Sequence, residues 1–443
     1  MTRIDERVST HVYKVKRISK EEMESIAGVC VYDQPPFCNA ACPLKLDVKA
    51  MLKAAAENDF KKAFKIYESI APFPLILSAG CGAPCEEKCR LCELGDGIAI
   101  GDIERAVALS GGAGERRSIF RVRKKKRAAV FGSGLFALLL AGELEKKGYP
   151  VTAICGEADE EEYLRAAAGF LREDDFYTEL KRLRGKDIVF EFNAEMTKEL
   201  FEEKRGGFDV LCASEKAALD IFSGAVRDEG IMLMESEGLL TGGGETVLEA
   251  ALGARKAALT ADRLAQGIDP RSARGEEGPV TSRLYTNPDL ARGLIRIKGC
   301  ESGYTREQAA EEAGRCMQCH CDECLRGCAY LRRFNKHPGL LSREIYNNTQ
   351  IIMGDHPLNR AMNACALCGQ CTVTCPHGFD MAHVCRTARE NMVDTDKMPL
   401  AAHEFALLDM LFSNGEAYLC RKQPGHSPVS YTHLRAHETL SDL

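Results

Sequence analysis

The sequence contains no tryptophan, no long apolar run and no large excess of either charge. Its 443 residues carry a formal net charge of −6, which gives no electrostatic reason to expect nucleic acid as a partner. No stretch is long and apolar enough to cross a bilayer, and the first residues hold no apolar segment of the kind found in secretory signals. We therefore expect a cytoplasmic protein without a membrane span, whose thiols stay reduced.

Cysteine, by contrast, is abundant and unevenly placed. The chain has 21 cysteines, most of them within residues 30–92 and 316–375. In a reducing compartment, clustered cysteines bind metal more often than they form disulfides. At about 150 residues a domain, the length suggests about three domains. We predict metal-binding domains over residues 1–115 and 271–410, a conventional domain over residues 116–270 and a tail over residues 411–443.

The most regular cysteine run reads Cys365-x2-Cys368-x2-Cys371-x3-Cys375-Pro376. Four thiolates at this spacing are typical of a [4Fe–4S] cluster, because three sulfurs of one tight loop reach three corners of the cube. Zinc sites usually show two separated Cys-x2-Cys pairs, so zinc or a disulfide is the weaker alternative. We expect Cys375 to start a helix, with Pro376 in its first turn.

A second cysteine run precedes this one. Thr305-x-x-Gln308 is a capping-box pattern and predicts a helix that runs to Arg315. Five cysteines follow where four suffice, namely Cys316, Cys319, Cys321, Cys324 and Cys328. The last three have the ferredoxin spacing, and either Cys319 or Cys316 would supply the remaining sulfur. We expect no ligand role for His320, His377 and His383, and ordinary free thiols at Cys385, Cys300, Cys212 and Cys420.

The 36 residues between Cys328 and Cys365 have a mainly helical pattern with a break around residues 354–357. With its two flanking runs, this region resembles the helical dicluster modules of heterodisulfide reductase and of succinate dehydrogenase iron–sulfur subunits. In such modules the fourth cysteine of each run commonly serves the other cluster. The resemblance implies two [4Fe–4S] clusters held in a helical fold.

The N-terminal cysteines form two further groups. The first ends in Cys38-x3-Cys42-Pro43, and the second comprises Cys81, Cys85, Cys89 and Cys92. Between the groups we predict a helix capped by Asp47 that buries Val48, Met51, Leu52 and Ala55. A second helix, opened by Asn58 or Asp59, is predicted to bury Phe60, Ala63, Phe64 and Tyr67 and to stop before Pro72 and Pro74. A zinc-stabilised pair of helical hairpins is the alternative interpretation.

Residues 30–106 resemble the N-terminal dicluster domain of the glutamate synthase small chain, dihydropyrimidine dehydrogenase and related flavoprotein reductases. The resemblance rests on the CPLKLDV segment, the proline pair, the CxxxCExxC run and the closing IAIGDIER. In that family two [4Fe–4S] clusters share ligands from both cysteine groups, and Asp33 stands where its second cysteine would be. The resemblance implies the ligands Cys30, Asp33, Cys38, Cys42, Cys81, Cys85, Cys89 and Glu104. Cys92 is the alternative to Glu104 as the last ligand.

The middle of the chain has the pattern of a nucleotide-binding unit. An apolar strand enters Gly132-x-Gly134-x-x-Ala137, and an apolar helix follows to Lys147 before a second strand from Val151. Strand, glycine turn, helix and strand in this order predict a Rossmann-like fold. The glycines let the backbone approach a pyrophosphate at the N-terminus of the helix.

Residues 237–267 resemble the closing FAD segment of the same reductases, through Gly238, Thr246, Val247, Glu249, Ala250, Arg255, Ala257 and Ala258. Two carboxylates by which that family holds FAD are absent from their places, which are taken by Cys155 and Leu239. There is room for one nucleotide-binding domain and none for a separate NAD(P) domain. We expect either a weakened FAD site, formed by Gly132, Gly134, Ala137, Glu157 and Gly238, or a spacer domain.

We therefore predict a shortened Rossmann-like α/β domain flanked by two mainly helical dicluster domains. The predicted function is an iron–sulfur component that relays single electrons through up to four [4Fe–4S] clusters between other redox proteins or subunits. The alternatives are a complete FAD-dependent NAD(P)H oxidoreductase and a zinc-bound scaffold without enzymatic activity. Residues 427–443 resemble a translated library adapter, so we expect the natural chain to continue beyond His426.

Overall fold

A computed structural model describes residues 18–111, 123–222, 226–272, 274–299, 303–395 and 397. The chain forms a central unit, Val31–Cys321, and a terminal unit that joins Met1–Cys30 to Asp322–Leu443. Residues 271–321, which we expected to belong with the C-terminal cysteines, pack within the central unit. The predicted boundary at residue 115 and the tail from residue 411 lie outside the described residues, so the domain borders remain predictions.

The described residues form a series of mostly short α-helices. In chain order they are α1 (Lys20–Ala27), α2 (Phe37–Ala41), α3 (Val48–Ala56), α4 (Phe60–Glu68), α5 (Pro74–Gly80), α6 (Pro84–Glu87), α7 (Ile100–Gly111), α8 (Leu135–Lys146), α9 (Glu160–Ala168), α10 (Glu173–Arg184), α11 (Lys198–Arg205), α12 (Glu215–Ile221), α13 (Val247–Gln266), α14 (Arg306–Gly314), α15 (Glu323–Gly327), α16 (Ala329–Phe334), α17 (Pro338–Gln350), α18 (Asn359–Ala364), α19 (Gln370–Thr374) and α20 (Met381–Asp394). Two 3₁₀ turns add Arg90–Glu93 and Pro288–Leu290.

Local capping signals account for the N-terminal helices of the central unit. The Asp47 carboxylate accepts the Ala50 N–H at 3.1 Å to start α3, and the Asp59 carboxylate accepts the Lys62 N–H at 3.0 Å to start α4. Both predicted apolar faces are buried, namely Val48, Met51, Leu52 and Ala55 on α3 and Phe60, Ala63, Phe64 and Tyr67 on α4. These two helices pack against each other, and α7 and α14 cover them.

The same unit contains one sheet of six strands: β1 (Ala128–Phe131), β2 (Val151–Ile154), β3 (Ile188–Glu191), β4 (Val210–Ser214), β5 (Leu233–Met234) and β6 (Leu239–Gly242). Their order is β3-β2-β1-β4-β6-β5, and every pair is parallel except β5 with β6. The order β3-β2-β1-β4 is that of dinucleotide-binding folds. The predicted strand–glycine turn–helix–strand unit is therefore confirmed as β1, α8 and β2.

Two layers of side chains bury this sheet. Helices α8 and α13 pack together against one face, and the rings of Phe131, Phe201 and Phe222 meet on the other, with centroids 5.3 and 5.0 Å apart. The fully buried Glu179 of α10 joins the sheet domain to α5. Its carboxylate accepts the Leu75 N–H at 2.6 Å and an Arg182 N–H at 2.8 Å.

The terminal unit consists of α1 and α15–α20. Helix α17 packs against α1 and α20 around a core that includes Met23, Leu341 and Val384. No helix in the described ranges is long and apolar enough to cross a membrane.

One expectation about this unit was wrong. Cys375 ends α19 instead of starting a helix, and Pro376 lies in a turn. The chain reverses through Gly378, whose φ of +68° favours glycine, and the Asp380 carboxylate then caps α20 by accepting the His383 N–H at 3.0 Å.

Candidate iron–sulfur sites

Two short helices of the central unit each deliver a pair of thiols. Helix α2 carries Cys38 and has Cys42 as its C-cap, while α6 carries Cys85 and is followed by Cys89. Cys38 and Cys42 are four residues apart, as are Cys85 and Cys89, and α2 packs against α6. Two short helices therefore bring these four thiols into one region.

The first site brings together Cys42, Cys81, Cys85 and Glu104. Besides burial, Glu104 raises the pKa of all three thiols, and Cys42 raises the pKa of both Cys81 and Cys85. Cys81 and Cys38 raise the pKa of Cys85 further. Burial, followed by the Glu104 carboxylate, raises the pKa of Cys81 to about 12. The Leu46 N–H approaches the Cys42 sulfur at 3.5 Å, a contact that stabilises a thiolate.

Glu104 is itself deeply buried, at 3% exposure on α7. Burial raises the pKa of Glu104 to about 8, against the opposing effect of the neighbouring Tyr67 hydroxyl and with a further contribution from Glu86. Burial therefore favours the neutral acid, whereas a cluster bound beside it would favour the carboxylate. Three thiols and one carboxyl group are a donor set that an iron–sulfur cluster can take.

The second site brings together Cys38, Cys89, Cys316 and Cys319. All four line one small cavity whose other walls are mostly apolar, from Phe37, Leu52, Leu91, Ile98, Ile100 and Met317. Burial raises the pKa of Cys38 far above its ordinary range, and the neighbouring Cys316, Cys319 and Cys89 raise it further. Without a bound cation the raised pKa keeps Cys38 as a thiol, and a shared metal cluster would favour the thiolate. Soft sulfur ligands suit iron–sulfur clusters.

Three predicted or competing N-terminal ligands lie elsewhere. Cys30 belongs to the terminal unit, where a Cβ placed on Gly339 would come within 2.9 Å of its side chain. Asp33 does not line the cavity of the second site. Cys92 is exposed, and its thiol donates to the Glu86 carbonyl at 3.4 Å. The structure therefore places Glu104, and not Cys92, with the thiols of the first site.

Within the described part of the chain, no three Cys, His, Asp or Glu side chains gather tightly enough to enclose a single metal ion. The ligands of a four-iron cube stand further apart than those of one zinc ion, since the cube itself lies between them. The four cysteines around an apolar cavity therefore match an iron–sulfur cluster in donor type.

In the terminal unit, α15 and α19 bring the two ferredoxin-type loops together. A Cβ on Gly327 would collide with Thr374, so glycine is needed for this close approach. Cys324 and Cys371, one from each loop, are 6% and 5% exposed in the same core, and Cys328, Cys365 and Cys375 pack against it. Exposed Cys368 completes the second loop.

Cys385, which we expected to be an ordinary free thiol, lies against this group. The Cys385 thiol neighbours the Cys365 sulfur and, with the Leu367 N–H and Arg389, lowers the pKa of Cys365. The Tyr330 hydroxyl contacts the Cys385 sulfur at 3.7 Å, and Arg389 donates to the carbonyls of Met362, at 2.8 Å, and Cys365. Spacing along the chain gave no signal for Cys385, because it reaches the site from the separate helix α20.

The remaining candidates divide by burial. His377 and His383 are exposed, and His320 makes a contact of 2.8 Å between its Nδ1 and the Gln318 carbonyl. Cys212 is buried in β4, whereas Cys300 and Cys420 lie outside the described residues.

The sheet keeps the backbone geometry of a nucleotide site at the carboxyl end of β1. Gly132 and Gly134 have φ values of +84° and +97°, and a Cβ on Gly134, the N-cap of α8, would meet nothing within 4 Å. Ala137 is buried in the first turn of α8. A cleft of about 500 Å³ opens at the same edge, lined by Gly243, Gly244, Arg227 and Lys256 among others.

The other two predicted cofactor residues do not support this site. Gly238 precedes β6, and because β6 runs parallel to β4, Gly238 lies at the opposite edge of the sheet from Gly132. Glu157 follows β2 but directs its carboxyl toward the Cys155 thiol. The glycines at the correct edge are Gly243 and Gly244, which sequence reasoning missed although they lie in a conspicuous run of three.

Comparisons with known proteins agree with the two thiol-rich regions. Residues 7–112 match the family described as dihydropyrimidine dehydrogenase domain II, 4Fe-4S cluster, and residues 315–380 match the family described as 4Fe-4S dicluster domain. The chain therefore contains two regions that match 4Fe-4S domains.

Three relatives match only part of this chain, and the chain spans less than a third of the length of each. The NADPH-Fe(3+) oxidoreductase subunit beta of Geobacter sulfurreducens is 28% identical over 119 residues, 26% of this chain and 17% of that protein. The glutamate synthase [NADPH] small chain of Azospirillum brasilense is 29% identical over 146 residues, 30% of this chain and 29% of the relative. The NADP(+)-dependent formate dehydrogenase subunit beta of Moorella thermoacetica is 27% identical over 138 residues, 26% of this chain and 20% of the relative.

Proposed function

We propose that the chain is a relay subunit that moves single electrons between partner redox proteins through up to four [4Fe–4S] clusters. Two clusters lie in the central unit and two in the terminal unit, and the sheet domain acts as a spacer. The observation that carries this proposal is the pairing of thiols on α2 and α6, which supplies two adjacent sites from two short helices.

The two central sites differ in the ligands that would set the reduction potentials of their clusters. Glu104 adds a negative charge at the first site, and the second site is lined by sulfur and apolar groups. Net charge, hydrogen bonds to sulfur and solvent exposure set cluster potentials, so two neighbouring sites with different donors provide a step in potential. When bound, the clusters supply one-electron chemistry. The protein's own residues bury the sites and exclude water.

The donor and acceptor are separate proteins or subunits. Two of the relatives above are named as beta subunits, of an NADPH-Fe(3+) oxidoreductase and of an NADP(+)-dependent formate dehydrogenase. We infer that this chain likewise works inside a larger redox assembly, with its nicotinamide chemistry on another chain. The sheet domain supports this division because Glu157, the acidic residue predicted to hold a nucleotide, interacts with the Cys155 thiol.

The test is an electron count on the anaerobically reconstituted full chain. When dithionite is added stepwise, each cluster should accept about one electron. Mixing the reduced protein with an oxidised one-electron dye should then transfer these electrons to the dye. NADH or NADPH alone should give no reduction. Rapid reduction by either nicotinamide, with a stoichiometric flavin, would instead establish the complete NAD(P)H oxidoreductase, the function that the open edge at Gly134 would favour.

A further inference from the structure

The second site of the central unit takes half of its donors from a part of the chain far from the other half. Cys38 and Cys89 come from the N-terminal cysteine groups, whereas Cys316 and Cys319 follow α14. The resemblance to flavoprotein reductases implies Cys30 and Asp33 among the N-terminal ligands. The structure keeps neither in this cavity, so its ligand set differs from the one that the family implies.

Helix α14 is fixed by buried polar contacts close to the site. Glu312 is fully buried, and its two carboxylate oxygens accept the Ala99 N–H at 3.0 Å and the Ile297 N–H at 2.9 Å. Arg315 neutralises the Glu312 carboxylate at 2.5 Å and also donates to the Asp96 carbonyl at 2.6 Å. A buried charge with this many partners is costly to displace, so the end of α14 has a single position.

The loop that follows α14 is tied directly to α3. The Lys49 ammonium donates to the Cys319 carbonyl at 2.9 Å, and the Gln318 side-chain amide donates to the Lys49 carbonyl at 3.3 Å. Gln318 adopts the left-handed conformation, with φ of +51°, which turns the loop so that Cys316 and Cys319 face one cavity. This reciprocal pair of bonds holds both sulfurs toward Cys38 and Cys89.

We propose that Cys316 and Cys319 are the two ligands that complete a [4Fe–4S] site with Cys38 and Cys89. The inference rests on the proposed iron–sulfur function and adds which cysteines share one cluster. The first site already has four donors of its own, Cys42, Cys81, Cys85 and Glu104, so it needs neither sulfur. The cluster then joins residues 316–319 to the N-terminal helices as a cross-link across more than half of the chain.

The competing assignment gives Cys316 and Cys319 to a cluster of the terminal unit, and the family match over residues 315–380 includes both. Iron counts in paired variants separate the two assignments, because two ligands of one cluster do not lose iron additively. The variants are Cys38→Ala, Cys319→Ala and Cys375→Ala in the full chain, made singly and in pairs and purified without oxygen. Cys375 is chosen because the competing assignment would put it in the same cluster as Cys319. Cys92→Ala, an exposed neighbouring thiol, is the matched control.

Each single ligand variant should lose the iron of one cluster, about four atoms, and the control should lose none. The Cys38→Ala/Cys319→Ala pair should lose the same four or so, whereas the Cys319→Ala/Cys375→Ala pair should lose about eight. The proposal is overturned if the first pair loses about eight and the second about four, or if Cys319→Ala keeps all of its iron.

Low-temperature EPR of the reduced variants distinguishes the loss of one cluster from misfolding of the whole protein. The signals of the remaining clusters should persist in Cys319→Ala, since loss of one site leaves the other donor sets intact. Loss of every signal together would also overturn the proposal. A wild-type protein that contains zinc and no iron would contradict the proposed function itself. That outcome differs from one in which iron is present but Cys316 and Cys319 bind another cluster.

Discussion

The buried carboxylate of Glu104 allows a quantitative test of the first site. Glu104→Gln removes the negative charge that Glu104 would carry as a cluster ligand and keeps an oxygen donor on a side chain of the same length. At about 4 Å, a unit charge contributes about 1 kcal/mol in water and about 4 kcal/mol at the effective dielectric of a protein site. Glu104 is 3% exposed, so the larger figure is the better guide.

The loss of negative charge favours the reduced cluster, which carries one more electron, so the midpoint potential should rise. With 59 mV for each 1.4 kcal/mol of a one-electron couple, the rise should be roughly 40–170 mV. The assay is a redox titration of the cluster signals by EPR. Glu93→Gln is the control, because Glu93 is exposed and paired with Arg90. An unchanged potential in Glu104→Gln, or an equal shift in both variants, would show that Glu104 does not lie beside a cluster.

Four further outcomes follow from the described contacts. Cys368→Ser should remove about four irons and much of the broad visible absorbance, and unchanged iron would remove this loop from the ligand set. Gly327→Ala should weaken the terminal clusters, because its methyl group collides with Thr374, and a variant with full iron and unchanged thermal stability would contradict that packing. Glu179→Ala should lower the free energy of unfolding by about 3–5 kcal/mol in urea titrations, since it strands the partly buried Arg182, whereas a loss under about 1 kcal/mol would be inconsistent with this role. FAD titrated into the reconstituted protein should bind with a Kd of micromolar or weaker, because two lost charge-assisted hydrogen bonds cost roughly two to four decades of affinity, and tight stoichiometric binding would disprove the spacer proposal.

Much of the fold follows from local signals that can be recognised in the sequence. Asp47, Asp59 and Thr305 each cap the helix that they predict, and the glycine turn at Gly132 joins the expected strand and helix. Capping and turn formation involve residues within a few positions of one another, so a single sequence contains the necessary information.

The grouping of the thiols depends on tertiary packing and could not be derived from spacing. Cys316 lies next to cysteines of its own run along the chain, yet the contacts of α14 place it beside Cys38. In the same way, the core of the terminal unit brings Cys385 against Cys365 from a separate helix. Regular spacing identifies which residues can bind a cluster, but it does not determine which of them share one.

The nucleotide-type edge shows a different limit of sequence reasoning. The resemblance aligned Gly238 with a cofactor residue, but the direction of β6 puts Gly243 and Gly244 at that edge instead. Both glycine positions lie in the same short segment, and only the strand register distinguishes them.

Whether the chain binds redox-active iron–sulfur clusters is tested most directly by its metal and sulfide content together with an anaerobic absorbance spectrum. The purified, reconstituted chain should contain iron and acid-labile sulfide in equal amounts, up to about 16 of each for four clusters, with broad visible absorbance that dithionite bleaches. Stoichiometric zinc, no labile sulfide and a colourless protein would contradict the account.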